Sequence, residues 1–232
     1  APANPPTTYG MLESRLHNVS VSLDGPPVIE ADFTFQFPDE APTLSISGRL
    51  VVVFGLKPNW ANGWLERLMW ATDVLTARDG TEQRVGLRAK PRRSLEFSIL
   101  VGSADAALLD VLLSAWQSRV YALPIWPDKA VLTTVIAAGS TVIPLTTTNL
   151  EYEADGILVI GTDSRNTEAA EVLSLANNPV TLKHPLLQPW PARAFVTPAR
   201  TARLRITQAL SRVTRAIAPH RPVFDIAATT DI

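Results

Sequence analysis

The chain contains no cysteine, which excludes disulfide frameworks, thiolate zinc sites, iron–sulfur clusters and thiol nucleophiles in one step. Its three histidines, His17, His184 and His220, lie far apart and form no ligand motif. Eleven glycines include neither a phosphate-loop pattern nor a glycine fingerprint after a strand, and no G-x-S-x-G elbow or H-E-x-x-H helix occurs. No apolar run approaches the roughly 18 residues that a membrane helix needs. The nearest stretch, around 108–113, is broken by Asp105, Asp110 and Arg119. Nothing resembles a signal peptide, so the sequence is expected to be a soluble globular protein. A strong charge of one sign is missing too. The 21 Lys and Arg stand against 22 Asp and Glu, which argues against nucleic acid held by net positive charge.

What is present is enough apolar material for a core. At 232 residues, 46% hydrophobic and 19% charged, the chain suits one large domain or two small ones and not a disordered segment. Its charges are unevenly placed. Residues 1–48 carry six acids and a single base, Arg15, whereas residues 49–93 carry nine bases and four acids. From Arg200 to Arg221 there are six arginines and no acid. Such polarity in a nearly neutral chain predicts contacts between complementary faces, within the molecule or between copies.

Short alternating patterns dominate the first hundred residues. The opening Pro-rich stretch, 1–8, reads as an extended arm. Strands are predicted at 19–23, through Phe33, Phe35 and Phe37, at 44–54, and at 94–99, where Leu95, Phe97 and Ile99 alternate with Ser94, Glu96 and Ser98. Asp79-Gly80 marks a hairpin turn, while 58–75 is ambiguous: helical spacing runs through Trp60, Trp64 and Leu68, and alternation through Trp64, Arg67, Met69, Ala71 and Val74 is poor. The spacing predicts one amphipathic helix over 104–121, with Ser103 as N-cap, Asp105 at its positive end and a stripe of Leu108, Leu109, Leu112, Ala115, Trp116 and Val120. Pro124 is expected to stop it. Short strands follow at 131–137, 141–145, 156–160, 171–175, 180–182 and 194–197, a spacing that suggests a small barrel or sandwich. Residues 202–217 can be helical or can begin as a strand.

Candidate chemistry is sparse. Glu151, Glu153 and Asp155 alternate, so on one strand face they could bind a hard cation or do acid–base work. Their place before Gly156 fits a solvated turn better, and Glu168 and Glu171 are no stronger. His184 lacks Asp or Ser partners in a readable arrangement. Trp60, Trp64 and Trp70 fall in one short span; exposed, they would make a sugar-stacking platform, and buried, a core or interface anchor. Each face of a strand takes every second side chain, so Arg84, Arg88 and Arg92, with Lys90, are expected on one face. A row of cations there suits ion pairs between copies.

The segment Gly80-Thr81-Glu82-Gln83-Arg84, then Arg88-Ala89-Lys90-Pro91-Arg92-Arg93 and the strand through Phe97, resembles a signature of minor tail proteins from long-tailed bacteriophages. Pro58-Asn59-Trp60 is similar to the entry into that signature. The helix leading to Tyr121-Ala122-Leu123-Pro124-Ile125-Trp126-Pro127-Asp128, and the β module through Ala137–Pro144, Glu171-Val172 and 186–190, resemble its continuation. The likeness runs from about residue 57 to 205 and leaves residues 1–50 unmatched.

The resemblance implies a structural virion protein of the distal tail or baseplate, assembled in the host cytoplasm as a ring of copies, a hexamer being one such ring. Its partners would be the tail tube protein, the baseplate hub and other minor tail proteins, with no direct nucleic-acid recognition and no membrane insertion. The implied fold is mainly β (α+β): a tail-tube-like β-sandwich with one amphipathic helix over residues 1–128, then a small β-barrel-like module over 129–200 and a basic C-terminal segment over 201–232. No catalytic residue, cofactor or metal is expected. Arg84, Arg88, Arg92 and Arg93 would be assembly contacts, and Trp60, Trp64 and Trp70 interface or core anchors. The rival reading is a carbohydrate-binding baseplate module that touches the host surface. A cell-wall or capsule hydrolase would have only Glu151, Glu153 and Asp155 to work with.

Overall fold

A computed structural model describes residues 28–37, 40–49, 51–115, 120–176, 178–205, 213 and 217–226. The strand expected at 19–23, the Pro-rich arm and Trp116 lie outside these residues. Strands dominate, in order β1 (Val28–Thr34), β2 (Thr43–Arg49), β3 (Val52–Val53), β4 (Trp64–Met69), β5 (Thr72–Thr76), β6 (Glu82–Gly86), β7 (Arg92–Phe97), β8 (Ile99–Gly102) and β9 (Tyr121–Pro124). They continue as β10 (Ala130–Val131), β11 (Val142–Ile143), β12 (Ile157–Gly161), β13 (Thr167–Leu175), β14 (Val180–Leu182), β15 (Phe195–Leu204), β16 (Ile217–His220) and β17 (Val223–Ile226). One α-helix, α1 (Ser103–Ala115), interrupts them. Among the described residues the protein is thus mainly β with one α-helix.

Among the described residues the main sheet has eleven strands and follows the path β11-β14-β13-β12-β15-β17-β7-β4, with β9 and β10 attached to β15 and β3 to β9. Its pairs are antiparallel except β3 with β9. The path stays open, so no closed barrel forms among the described residues. β15 is the hinge of this arrangement. Its first residues pair with β10 and its later ones with β9, and Pro198 falls between the two partners. A proline is tolerated in a central strand at a place where no N–H is required on that side. The sheet runs across residues 128 and 200, because β9 pairs with β15 and β15 itself spans Arg200.

Apolar side chains gather in three clusters on this sheet. One joins Phe54, Leu95, Phe97, Leu109, Leu112, Tyr121 and Phe224. Phe54 is its centre, meeting Phe97, Tyr121 and Phe224 edge-on with centroids 4.9 to 6.2 Å apart. A second cluster gathers Leu158, Ile160, Val172, Val180 and Trp190, and a third, smaller one Val51, Trp126, Val159 and Phe195. Because successive residues of β12 face opposite sides, Leu158 and Ile160 enter one cluster and Val159 another.

The helix begins at Ser103, one residue before the expected start, and Ala106, Leu109 and Leu112 form its buried side. It does not reach Tyr121. That residue opens β9, whose four residues are all buried, and Pro124 ends this strand and not a helix. Tyr121 donates its hydroxyl to Leu112 O at 2.6 Å, and burial pushes its pKa up. An apolar run buried on both faces has no period, so it satisfied the helical spacing by default.

Several strand bounds also move. The run expected at 131–137 shrinks to β10 and an isolated bridge between Ile136 and Trp190. The strand expected at 194–197 extends to Leu204, which settles the start of 202–217 as strand; most of 206–216 lies outside the described residues.

Candidate functional site

The ambiguous segment 58–75 becomes a short 3-10 turn, Trp60–Asn62, followed by β4 and β5. Asn59 starts the turn by accepting from Ala61 N–H at 3.1 Å, and Gly63, at φ 71°, ends it in a conformation that favours glycine. β4 pairs with β7 and forms the last strand of the main sheet. Trp64 faces inward here and stacks on Phe97 with centroids 4.8 Å apart.

Beyond β4 the same two chain segments continue as an arm. β5 pairs with β6 through the loop 77–81, where Ala77 N–H donates to Thr81 O and Gly80 sits at φ 86°. The Asp79-Gly80 signal therefore does mark a hairpin. Asp79 stabilises the tip by accepting from the Thr81 hydroxyl at 2.6 Å and the Thr81 amide at 3.0 Å, which holds its pKa below the ordinary carboxylate value. Every residue of β5 and β6 is exposed on both faces. Leu68, Met69, Trp70, Leu75 and Leu87 are all more than half exposed, Leu87 at 67%.

A break separates arm from sheet. Leu87 pairs with Ala71, and the next pair inward is Met69 with Arg92. One residue, Trp70, thus stands opposite the four residues 88–91. This is a bulge, and Pro91 within it supplies no N–H. The arginines consequently do not form one row on a strand face. Arg84 lies on β6 and pairs with Glu82 at 3.0 Å. Arg88 lies in the bulge, half-buried, and donates to Met69 O at 3.3 Å. Arg92 is exposed at the start of β7, and Lys90 is exposed within the bulge.

Arg93 turns the other way, into an ionic cluster at the root of the arm. Its Nε lies 2.5 Å from Glu66 and its Nη1 2.8 Å from Glu151. Arg200 of β15 approaches Glu153 at 2.8 Å and Glu151 at 3.7 Å. Burial alone would pull the Arg93 pKa down, but Glu151 and Glu66 outweigh it and raise it. Asp128 fixes the loop by accepting from Glu151 N–H at 2.7 Å.

The three alternating acids fall in and just before a turn, as their place before Gly156 suggests, and not on the strand face that their spacing also allowed. Residues 151–155 are not a strand, so they share no strand face. Glu151 and Glu153 are paired with arginines, while Asp155 sits at φ 60° in a turn and pairs with Lys183 at 2.9 Å. No group of three or more acids or histidines is arranged to hold a metal among the described residues. His184 is exposed after β14. Glu168, unremarkable in sequence, is buried and accepts from Leu187 N–H at 2.7 Å and Trp190 Nε1 at 3.0 Å. Nothing in its local pattern distinguishes it from an exposed acid, except that alternate residues of β13 are buried.

The three tryptophans do not form one platform. Trp64 is engaged with Phe97, while Trp60 and Trp70, 56% and 60% exposed, flank opposite ends of β4. Six strand residues span about 20 Å, too far for one sugar ring to touch both. No helix of the described residues is long and apolar enough to cross a membrane. Compared with known proteins, the chain matches no family model and no curated sequence.

Proposed function

We propose that this chain is a structural, self-associating protein of a phage tail, built on a tail-tube-like β-sandwich and forming a ring at the distal tail or baseplate, where it joins the tube to the hub or fibres. The arm β5–β6 is the observation that carries this reading. A two-stranded ribbon open on both faces is marginal in water by itself, yet this one carries exposed Val74, Leu75 and Val85. Such a ribbon is stabilised by packing on something outside its own chain. The end strand β4 adds a sheet edge that no described residue pairs with, and the resemblance in residues 57–205 supplies the setting.

The purified protein should scatter light as a species of several copies, and negative-stain images should show closed rings with a central opening. A single-copy protein that also fails to join tails in a reconstitution would overturn the reading. The sugar-binding alternative draws on the exposure of Trp60 and Trp70. Tryptophan fluorescence that shifts on adding host polysaccharide would favour it.

A further inference from the structure

We propose that the hairpin β1–β2 of one copy adds edgewise to the arm β5–β6 of a second copy, β1 against β6, so that two two-stranded ribbons become one four-stranded sheet. The inference rests on the self-association in the proposed function and names the surfaces that meet.

Both ribbons are separate two-stranded sheets, and among the described residues nothing pairs with their outer edges. An open edge is a template for another strand. In an antiparallel pair, alternate residues turn their N–H and C=O toward the partner and the rest turn outward. In the arm, Ala77 N–H donates to Thr81 O and Leu87 N–H to Ala71 O, both at 2.8 Å. Those bonds fix the inward set of β6 as Gln83 and Val85, which leaves Glu82, Arg84 and Gly86 turned outward. In the hairpin, Phe35 N–H donates to Pro42 O at 2.9 Å and Phe37 N–H to Glu40 O at 2.8 Å. Asp32 and Thr34 of β1 are therefore turned outward.

Side chains match in the same register of faces. Phe33 and Leu44 share the apolar face of the hairpin and are 41% and 49% exposed. Leu75, Val85 and Leu87 share the more apolar face of the arm. Edge pairing aligns these two faces and places Asp32 on the same side as Arg84. Charge then selects this combination of edges. The segment 28–49 carries Glu30, Asp32, Asp39 and Glu40 against Arg49, whereas 64–93 carries seven bases and four acids. The other arm edge, β5, turns Val74 outward in place of an arginine.

Sedimentation across a concentration series tests the contact. Arg84→Pro removes an outward N–H from β6 without touching a bond to β5, and Val74→Pro does the same to β5. Arg84→Pro should weaken association at least about tenfold, with Val74→Pro close to wild type. Asp32→Arg and Arg84→Asp should each weaken it, and an equal mixture of those two proteins should restore it, because every contact between unlike copies is then again of opposite charge. If the wild type associates and these variants associate equally well, the β1–β6 contact is wrong and self-association stands. If the wild type remains single at every concentration, the self-association reading itself fails. A crosslink covers any variant that does not fold. Thr34→Cys and Glu82→Cys proteins, each with one thiol in an otherwise cysteine-free chain, should join as a mixed dimer through a short bis-maleimide. Absence of that dimer while the wild type associates would overturn the contact.

Discussion

β12 and β5 are both five-residue antiparallel strands, yet four residues of β12 are buried and none of β5. β12 lies between β13 and β15, whereas among the described residues β5 pairs with β6 alone. Their sequences explain the difference. Ile157-Leu158-Val159-Ile160 is apolar on both faces, so each face recruits its own cluster and both edges are paired. Thr72-Asp73-Val74-Leu75-Thr76 offers one large apolar residue to each face, too little to draw a covering layer from its own chain. A strand is completed by what both of its faces can bury. Where the chain supplies too little, the strand stays exposed.

The comparison breaks most visibly at tryptophan. Trp190 is fully buried in the cluster that β12 feeds, exchanges both backbone bonds with Ile136, and donates to buried Glu168. Trp190→Ala should cost about 3–5 kcal/mol in chemical denaturation, through the cavity and the lost donor to the carboxylate. Trp70→Ala, at the base of the arm, should shift the same midpoint by no more than about 0.5 kcal/mol. Equal losses at the two positions would show that the arm is packed in solution and would remove the basis for the exposed ribbon.

That contrast was only partly legible in sequence. The alternation of Leu95 and Phe97 marks β7, because one face of that strand is buried and the other is not, but the strand expected to run to Ile99 ends at Phe97 and Ile99 opens β8 in another sheet. The turn chemistry of Asp79-Gly80 gave the arm's tip. Leu109 and Leu112 gave the buried side of the helix, but Tyr121 extended it too far, since β9 is buried on both faces and carries no period of two. The full length of β15 was hidden by Pro198, Arg200 and Arg203, residues that read as turn or helix surface. Arg84, Arg88 and Arg92 failed as a single face because the bulge at 88–91 breaks the spacing they depend on. The cluster of Arg93 and Arg200 with Glu66, Glu151 and Glu153 was invisible, since its members come from four separate stretches of chain.

That cluster ties the arm's root to the better-packed region, so its loss should act between the two extremes. Arg93 is mostly covered, while Glu66 and Glu151 keep contact with water. Arg93→Ala should therefore cost about 1 kcal/mol, less than a fully buried pair would. The difference between wild type and variant should shrink as salt is raised from 0.05 to about 0.5 M, since the exposed carboxylates are screened. A loss of several kcal/mol that ignores salt would mean that Arg93 acts through packing of its stem and not through its charge.

The smallest effect belongs to the tip. Asp79 is fully exposed, so Asp79→Ala should leave the unfolding midpoint of the whole protein unchanged while the Thr81 amide loses its protection from exchange. The bond to Thr81 favours the ionised carboxylate and depresses its pKa below the ordinary 3.8. A depressed acid contributes order that is complete above the ordinary value and disappears as pH falls through the lower, folded one. The amide signal of Thr81 should accordingly titrate with a midpoint below 3.8. A midpoint at or above that value would mean that the tip is not held by Asp79. The arm would then lack the local order at its tip that lets an exposed ribbon keep one shape before a partner arrives, and strand addition at β6 would have to begin from a frayed hairpin.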